Sequence, residues 1–211
     1  AETTVGAKKV SKVSIVPRGL AALGYTLNKP EENRFMMQRH EMWAEVDVLL
    51  GGRAAEEVFI GEISTGAGND LERATDIIKS MVQTYGMSDI AGLMVLEKSR
   101  QSFLGGGQAP AREYSDKMAE NMDEFIKSSL QEHYEVVVAR LEEYRGAIEN
   151  MVTLLYKKEN ITGEEVREIL IDFEKENNMD SKVDNTLDEI SEELKVDASM
   201  IDNSQAKSDG E

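Results

Sequence analysis

Residues Ile63–Val82 read "ISTGAGNDLERATDIIKSMV". A glycine-rich turn runs into a periodic stretch in which Leu71, Ala74, Ile77, Ile78, Met81, Val82 and then Tyr85 recur at helical intervals, as far as Gly86. That spacing places the apolar side chains on one stripe of an α-helix, with glycine at its end. An acid, Asp70, stands at the junction. Two local arrangements fit it. In one, Asn69 caps the helix and Glu72 closes a capping box. In the other, Ser64 or Thr65 starts the helix and Asp70 lies in its first turns, where the helix dipole stabilises an acid by about 0.3–1 kcal/mol. Either arrangement gives Asp70 a purely structural role.

Upstream, Trp43, Val46, Leu50, Ala54 and Val58 give residues 38–59 a helical pattern, and Pro30–Glu32 carries a helix-start signal. Gly51-Gly52 interrupts the pattern. Each glycine inside a helix costs about 1 kcal/mol relative to alanine, so the pair predicts a bend or the close approach of another backbone. Residues 10–27 read as a β-hairpin: Val13 and Ile15 on one face, Lys12 and Ser14 on the other, a turn at Pro17–Gly19, then alternation through Leu23, Tyr25 and Leu27. An exposed hairpin edge can accept an extended peptide as an extra strand.

Downstream, "GLMVLE" (Gly92–Glu97) predicts a short strand and "LGGGQAP" (Leu104–Pro110) a loop. The glycines of that loop are no phosphate cradle, because no Lys-Ser/Thr follows them. Helical spacing returns from Ser115 through Met118, Met122, Phe125, Ser129, Tyr134, Val137, Leu141 and Tyr144, and again through Ile148, Val152 and Leu155. "TGEE" (Thr162–Glu165) is a capping box opening a third helix, with Val166, Ile169, Leu170 and Phe173 as its apolar face. The expected fold is mainly α, with a small β-hairpin or sheet near the N-terminus and a C-terminal helical bundle. From Asp180 to Glu211 there are ten acids, three bases and no aromatic residue. The expected division is therefore a domain over 1–178 and an acidic, disordered tail over 179–211, in which Leu187, Ile190 and Leu194 form at most a transient helical turn.

A net charge of −17 in 211 residues argues against nucleic acid or an anionic membrane surface as the main partner. There is no cysteine, hence no disulfide framework and no thiolate metal site. No apolar run approaches the roughly 20 residues of a membrane-spanning helix, and the first residues lack the apolar middle of a signal peptide. The chain starts with alanine, and we read it as a piece whose start lies upstream.

Catalytic residues are sparse. His40-Glu41 opens like the metalloprotease H-E-x-x-H, in which two histidines one turn apart hold zinc. Residue 44 is alanine, so the second histidine is missing, and His40 reads as a solvent-facing helix residue. His133, among charged neighbours in "LQEHYE", reads the same way. There is no Gly-x-Ser-x-Gly elbow, no cysteine nucleophile and no Walker A loop. The residues by themselves display no complete catalytic constellation.

Two stretches nevertheless resemble a specific family. "KVSIVPRGLAALGYTLNKPEE" and "LLGGRAAEEVFIGEISTGAGNDLERATDIIKSMVQTYGMSD" closely resemble the protease domain of FtsH-type proteins, over residues 1 to about 175. These are membrane-anchored, ATP-dependent zinc metalloproteases. The resemblance implies a zinc site made by an H-E-x-G-H helix and one distant aspartate in the "TGA-x-ND" segment, here Asp70. The two histidines and the glutamate base are expected upstream of residue 1. It also implies that Glu56 supports the zinc site by orienting a ligating histidine. Leu23, Gly24, Tyr25 and Thr26 would pair with the substrate backbone.

The cofactor expected is zinc, with one ligand present, and ATP only through an ATPase domain outside these residues. The partners expected of the intact parent are unfolded or membrane protein substrates, a homo-hexamer and a membrane, with no nucleic acid. The location expected is the cytoplasmic face of the bacterial inner membrane, these 211 residues being themselves soluble and inactive. The competing readings are a non-catalytic helical oligomerisation or interaction module, and an acidic chaperone-like protein that rests on net charge alone.

Overall fold

Alternating and helical segments of the sequence assemble into two compact units, residues 1–36 with 144–211, and residues 37–143. The computed structural model describes residues 1–16, 24–28, 36–96 and 114–183. The Pro17–Gly19 turn, Leu23, the Pro30–Glu32 signal, the Leu104–Pro110 loop and the tail from Asp184 lie outside the described residues.

In the first unit, Val10–Ser14 (β1) and Tyr25–Asn28 (β2) pair antiparallel, with Ser14 opposite Tyr25 and a bulge between Val10 and Lys12. A third strand, Asn160–Thr162 (β3), pairs with the other side of β1, so the sheet order is β2-β1-β3 and β2 is an edge. Arg145–Lys158 (α4) and Gly163–Glu176 (α5) complete the unit. Its core joins Tyr144, Ala147, Ile161, Val166, Leu170 and Val183, with Val13, Ile169 and Phe173 against them. The expected facing of β1 is wrong at its end: Ser14 is buried and Ile15 exposed. The pleat stops at Ser14, so Ile15 follows no alternation. Ser14 sits where Gly24 passes so closely that a Cβ there would lie 2.8 Å from the Ser14 carbonyl oxygen. Its hydroxyl is satisfied locally by the Val16 N–H at 3.2 Å.

Residues 179–183, within the expected tail, pack on this unit. Glu174 is almost fully buried, and its carboxylate accepts the Tyr144 hydroxyl (2.6 Å), the Ser181 hydroxyl (3.0 Å) and the Lys182 N–H (3.1 Å). A buried carboxylate is tolerable only when so paired.

In the second unit, Arg39–Ala55 (α1) continues into a single π-helical turn, Glu56–Ile60, followed by Gly68–Gln83 (α2) and Asp116–Glu143 (α3). Val46, Leu49, Leu50, Ala54, Ala74, Ile78, Ile126 and Val137 form its core. Each buried Leu or Ile contributes about 1.5–3 kcal/mol. A smaller cluster of Val82, Ala91 and Met122 extends it.

Three expectations are corrected here. Gly51 and Gly52 lie inside a continuous α1, and a Cβ at either would meet nothing within 4 Å, so no backbone approaches them. The helix departs from α geometry only from Glu56, in the π turn. Residues 92–96 form no strand: Ser88–Gly92 is an isolated bridge, Leu93 is 95% exposed, and the Leu96 N–H is tied to the Gln83 carbonyl at 2.8 Å. Finally, His133 is half-buried rather than solvent-facing. Its ring stacks on Trp43 at 4.5 Å, and its Nδ1 lies 2.5 Å from Asp47 Oδ1, because Trp43 and Asp47 stand one turn apart on α1.

Candidate metal centre

Each helix start leaves backbone N–H groups without intrahelical partners, and an acid at the third helical position is well placed to return a bond to the capping residue. Among the described residues, three helices carry such an acid. In α1 it is Glu41, whose carboxylate accepts the Gln38 N–H at 2.6 Å. In α5 it is Glu165, which accepts the Thr162 N–H at 2.8 Å while its own N–H donates to the Thr162 hydroxyl at 3.2 Å. In α2 it is Asp70, and there the capping residue is Ala67, with no side-chain cap. Among the described residues, no hydrogen bond or ion pair engages the Asp70 carboxylate, which is half-buried.

This overturns the expectation that Asn69 caps α2 or that Ser64 or Thr65 begins it. Gly68 is the first helical residue and Asn69 the second. The reason is that the loop before α2 is organised from elsewhere. Glu56, the first residue of the π turn, accepts the Ser64 N–H at 3.0 Å and a very short bond from the Ser64 hydroxyl. The Ser64 hydroxyl oxygen in turn accepts the Gly66 N–H at 3.0 Å. Arg53 lies 3.7 Å from the Glu56 carboxylate. The Ser64 hydroxyl, then the Ser64 N–H, hold the Glu56 carboxyl below the usual glutamate range, with Arg53 acting in the same direction. With Ser64 and Gly66 fixed, the Gly68 N–H closes on the Thr65 carbonyl at 3.2 Å and the helix begins.

Glu56 is thus bonded to the loop that leads into α2, the helix that carries Asp70, within residues 37–143. Gly24, Tyr25 and Thr26 belong to the other unit: Gly24 precedes the edge strand β2 and Tyr25 and Thr26 lie in it, with Gly24 and Thr26 exposed. His40 is exposed on the first turn of α1, and Glu41 beside it is held by the Gln38 amide. From the sequence, Ser64 is only one candidate start for α2 and Tyr134 only one position in a helical pattern, and neither they nor Glu57 is placed at the site. The only signal for them was the adjacent pair Glu56-Glu57, and its meaning depends on a π turn that apolar spacing does not reveal.

A zinc site takes three or four protein ligands. Among the described residues, no group of three His, Cys, Asp or Glu side chains is arranged to hold a metal ion. The Asp70 carboxylate offers at most one oxygen donor, so these residues do not by themselves fit zinc. No helix among the described residues is long and apolar enough to cross a membrane.

Peptidase family M41 matches residues 1–169 of the chain. The chain is similar to the ATP-dependent zinc metalloprotease FtsH of Helicobacter pylori strain J99, at 64% identity over 182 residues, which is 86% of this chain and 29% of that protein. It is 60% identical to the protein of the same name from Sulfurovum sp. strain NBC37-1, over 86% of this chain and 27% of that one. It is 44% identical to that from Thermotoga maritima, over 79% and 28%. The chain therefore spans less than a third of the length of the curated relatives it matches.

Proposed function

The chain belongs to peptidase family M41, and on that premise we propose that it is the C-terminal proteolytic portion of an ATP-dependent zinc metalloendopeptidase. In this reading residues 1–178 are peptidase domain, Asp70 is the zinc ligand they contribute, and Glu56 supports the site. Tyr25 and Thr26 of the edge strand, with Leu23 and Gly24 before them, lie along the substrate backbone. The observation that carries the reading is the state of the Asp70 carboxylate. It occupies the position that Glu41 and Glu165 use to close their helix starts, yet it makes no such bond. A ligand must keep its lone pairs for the metal, and a helix start keeps it in place.

The substrates proposed are unfolded or membrane proteins, reached as extended chains, so that selectivity for side chains is low. ATP acts through a domain outside these residues. The assembly proposed is a homo-hexamer at the cytoplasmic face of the bacterial inner membrane.

Two measurements test this. The purified 211-residue chain is expected to hold no stoichiometric zinc and to leave casein intact; zinc at one equivalent with cleavage would overturn the ligand count. A longer form carrying a His-Glu-x-Gly-His helix is expected to bind zinc and to lose it on Asp70→Ala. Full zinc content and activity in that variant would remove Asp70 from the site.

A further inference from the structure

The π turn carries two adjacent acids, of which the zinc-site reading uses one. Adjacent residues of a helical turn point in different directions, and Glu56 and Glu57 reach different neighbours. Glu56 takes Ser64, as described. Glu57 Oε2 accepts the hydroxyl of Tyr134, on α3, at 2.6 Å. Burial first, and then the Glu57 carboxylate, push the Tyr134 hydroxyl up to about 12, so it remains a donor at neutral pH. Gly61 ends the turn in the left-handed region at φ +77, its N–H shared between the carbonyls of Glu56 (3.0 Å) and Glu57 (3.2 Å). π turns are rare and occur frequently at functional sites.

These bonds form one continuous path. It runs from α3 through Tyr134 and Glu57 to the π turn, and from Glu56 through Ser64 and Gly66 to the loop that ends at α2. Gly66 lets the loop fold over this bond: a Cβ there would stand 3.2 Å from the Ser64 hydroxyl and 3.6 Å from Glu56 Oε1. We propose that Tyr134 and Ser64 are positioning residues, which hold residues 61–67, and with them Asp70, in register with α3. The inference rests on the zinc-ligand reading only for what Asp70 is positioned to do. The brace itself is a property of these residues without metal.

The test is site-resolved amide hydrogen exchange on the 211-residue chain with no metal added. Ser64→Ala removes a hydroxyl bonded to a carboxylate and is expected to speed exchange at residues 62–69 about tenfold, with α5 unchanged. Ser64→Thr keeps the hydroxyl and is expected to restore slow exchange. Tyr134→Phe keeps the ring and is expected to speed exchange at residues 56–64 roughly threefold. Unchanged loop exchange in Ser64→Ala, acceleration spread equally over α5, or failure of threonine to rescue would each overturn the brace. An unchanged Tyr134→Phe would remove α3 from it. Asp70→Ala in the same chain is expected to leave loop exchange where it was. Failure of the brace therefore leaves the zinc assignment standing, and zinc retained by Asp70→Ala in the longer form leaves the brace standing.

Discussion

The starts of α2 and α5 occupy the same four positions with different chemistry. At the cap stand Ala67 and Thr162; at the first helical position, Gly68 and Gly163; at the second, Asn69 and Glu164; at the third, Asp70 and Glu165. The α5 start closes on itself. Thr162 and Glu165 exchange hydrogen bonds, and Lys158, at the end of α4, pairs with the Glu165 carboxylate. The α2 start has no side-chain cap of its own, and the loop before it is tied to Glu56. A helix start that satisfies itself leaves its acid no further role. One that is braced from a distance leaves its acid available.

The largest difference is expected at the two glycines. A Cβ on Gly163 would lie 1.8 Å from the Val10 carbonyl oxygen, which is backbone in β1 and cannot swing aside. Gly163→Ala is expected to cost about 3 kcal/mol. A Cβ on Gly68 meets nothing within 4 Å. Gly68→Ala is expected to be neutral or to stabilise by about 0.4–1 kcal/mol, through the less flexible unfolded chain. Urea denaturation of both variants measures the contrast. Equal losses would mean that the two starts are packed alike.

The caps come next. Thr162→Ala removes the acceptor for the Glu165 N–H and is expected to lower stability by about 1 kcal/mol in the same assay. An effect near zero would show that Lys158 and Glu165 hold the α5 start without the threonine.

These two helix starts also explain what the sequence made legible. Thr162–Glu165 was read correctly because every group in that capping box lies within four residues. The apolar stripe of α2 was likewise local: Ala74, Ile78, Met81 and Val82 are buried as spaced. The three-stranded sheet was only partly legible, since β3 lies some 150 residues beyond β1 and adds to it from the far end of the chain. His133 was misread because Trp43 and Asp47, which enclose it, belong to a helix 86 residues away from it in the case of Asp47. At the candidate site, spacing gave Asp70 a helix-start position and nothing more; its assignment as a ligand came from family resemblance. The brace was invisible because it depends on one π turn, which shifts the helix register at Glu56 without disturbing the composition.

Acid titration separates the starts by a smaller effect. Ser64 holds the Glu56 carboxyl below its ordinary range, and Lys158, then the Thr162 N–H, do the same for Glu165. A carboxyl depressed in the folded state contributes stability that is present above its unfolded value, about 4.3 for glutamate, and is lost as pH falls through the lower folded value. Carboxyl NMR is expected to give both residues midpoints below the ordinary one. Ser64→Ala should raise the midpoint of Glu56 and leave Glu165 unmoved. A Glu56 midpoint that ignores Ser64→Ala would break the distant brace while leaving the local one intact.

The smallest effect is expected at Asn69, where it is most informative. The pattern Asn-x-x-Glu at residues 69–72 satisfies the rule for a capping box as well as Thr162–Glu165 does. The two differ only in whether the chain starts its helix there. In α2 the loop arrives already fixed by Glu56, and the helix begins one residue before Asn69, leaving it exposed at the second helical position. Asn69→Ala is therefore expected to change stability by less than about 0.5 kcal/mol, as for an exposed substitution without a special contact. A loss near 1 kcal/mol, matching Thr162→Ala, would place the cap at Asn69. Asp70 would then be the first helical residue, no longer at the position of Glu41 and Glu165. The inference drawn from its unengaged carboxylate would fail with it.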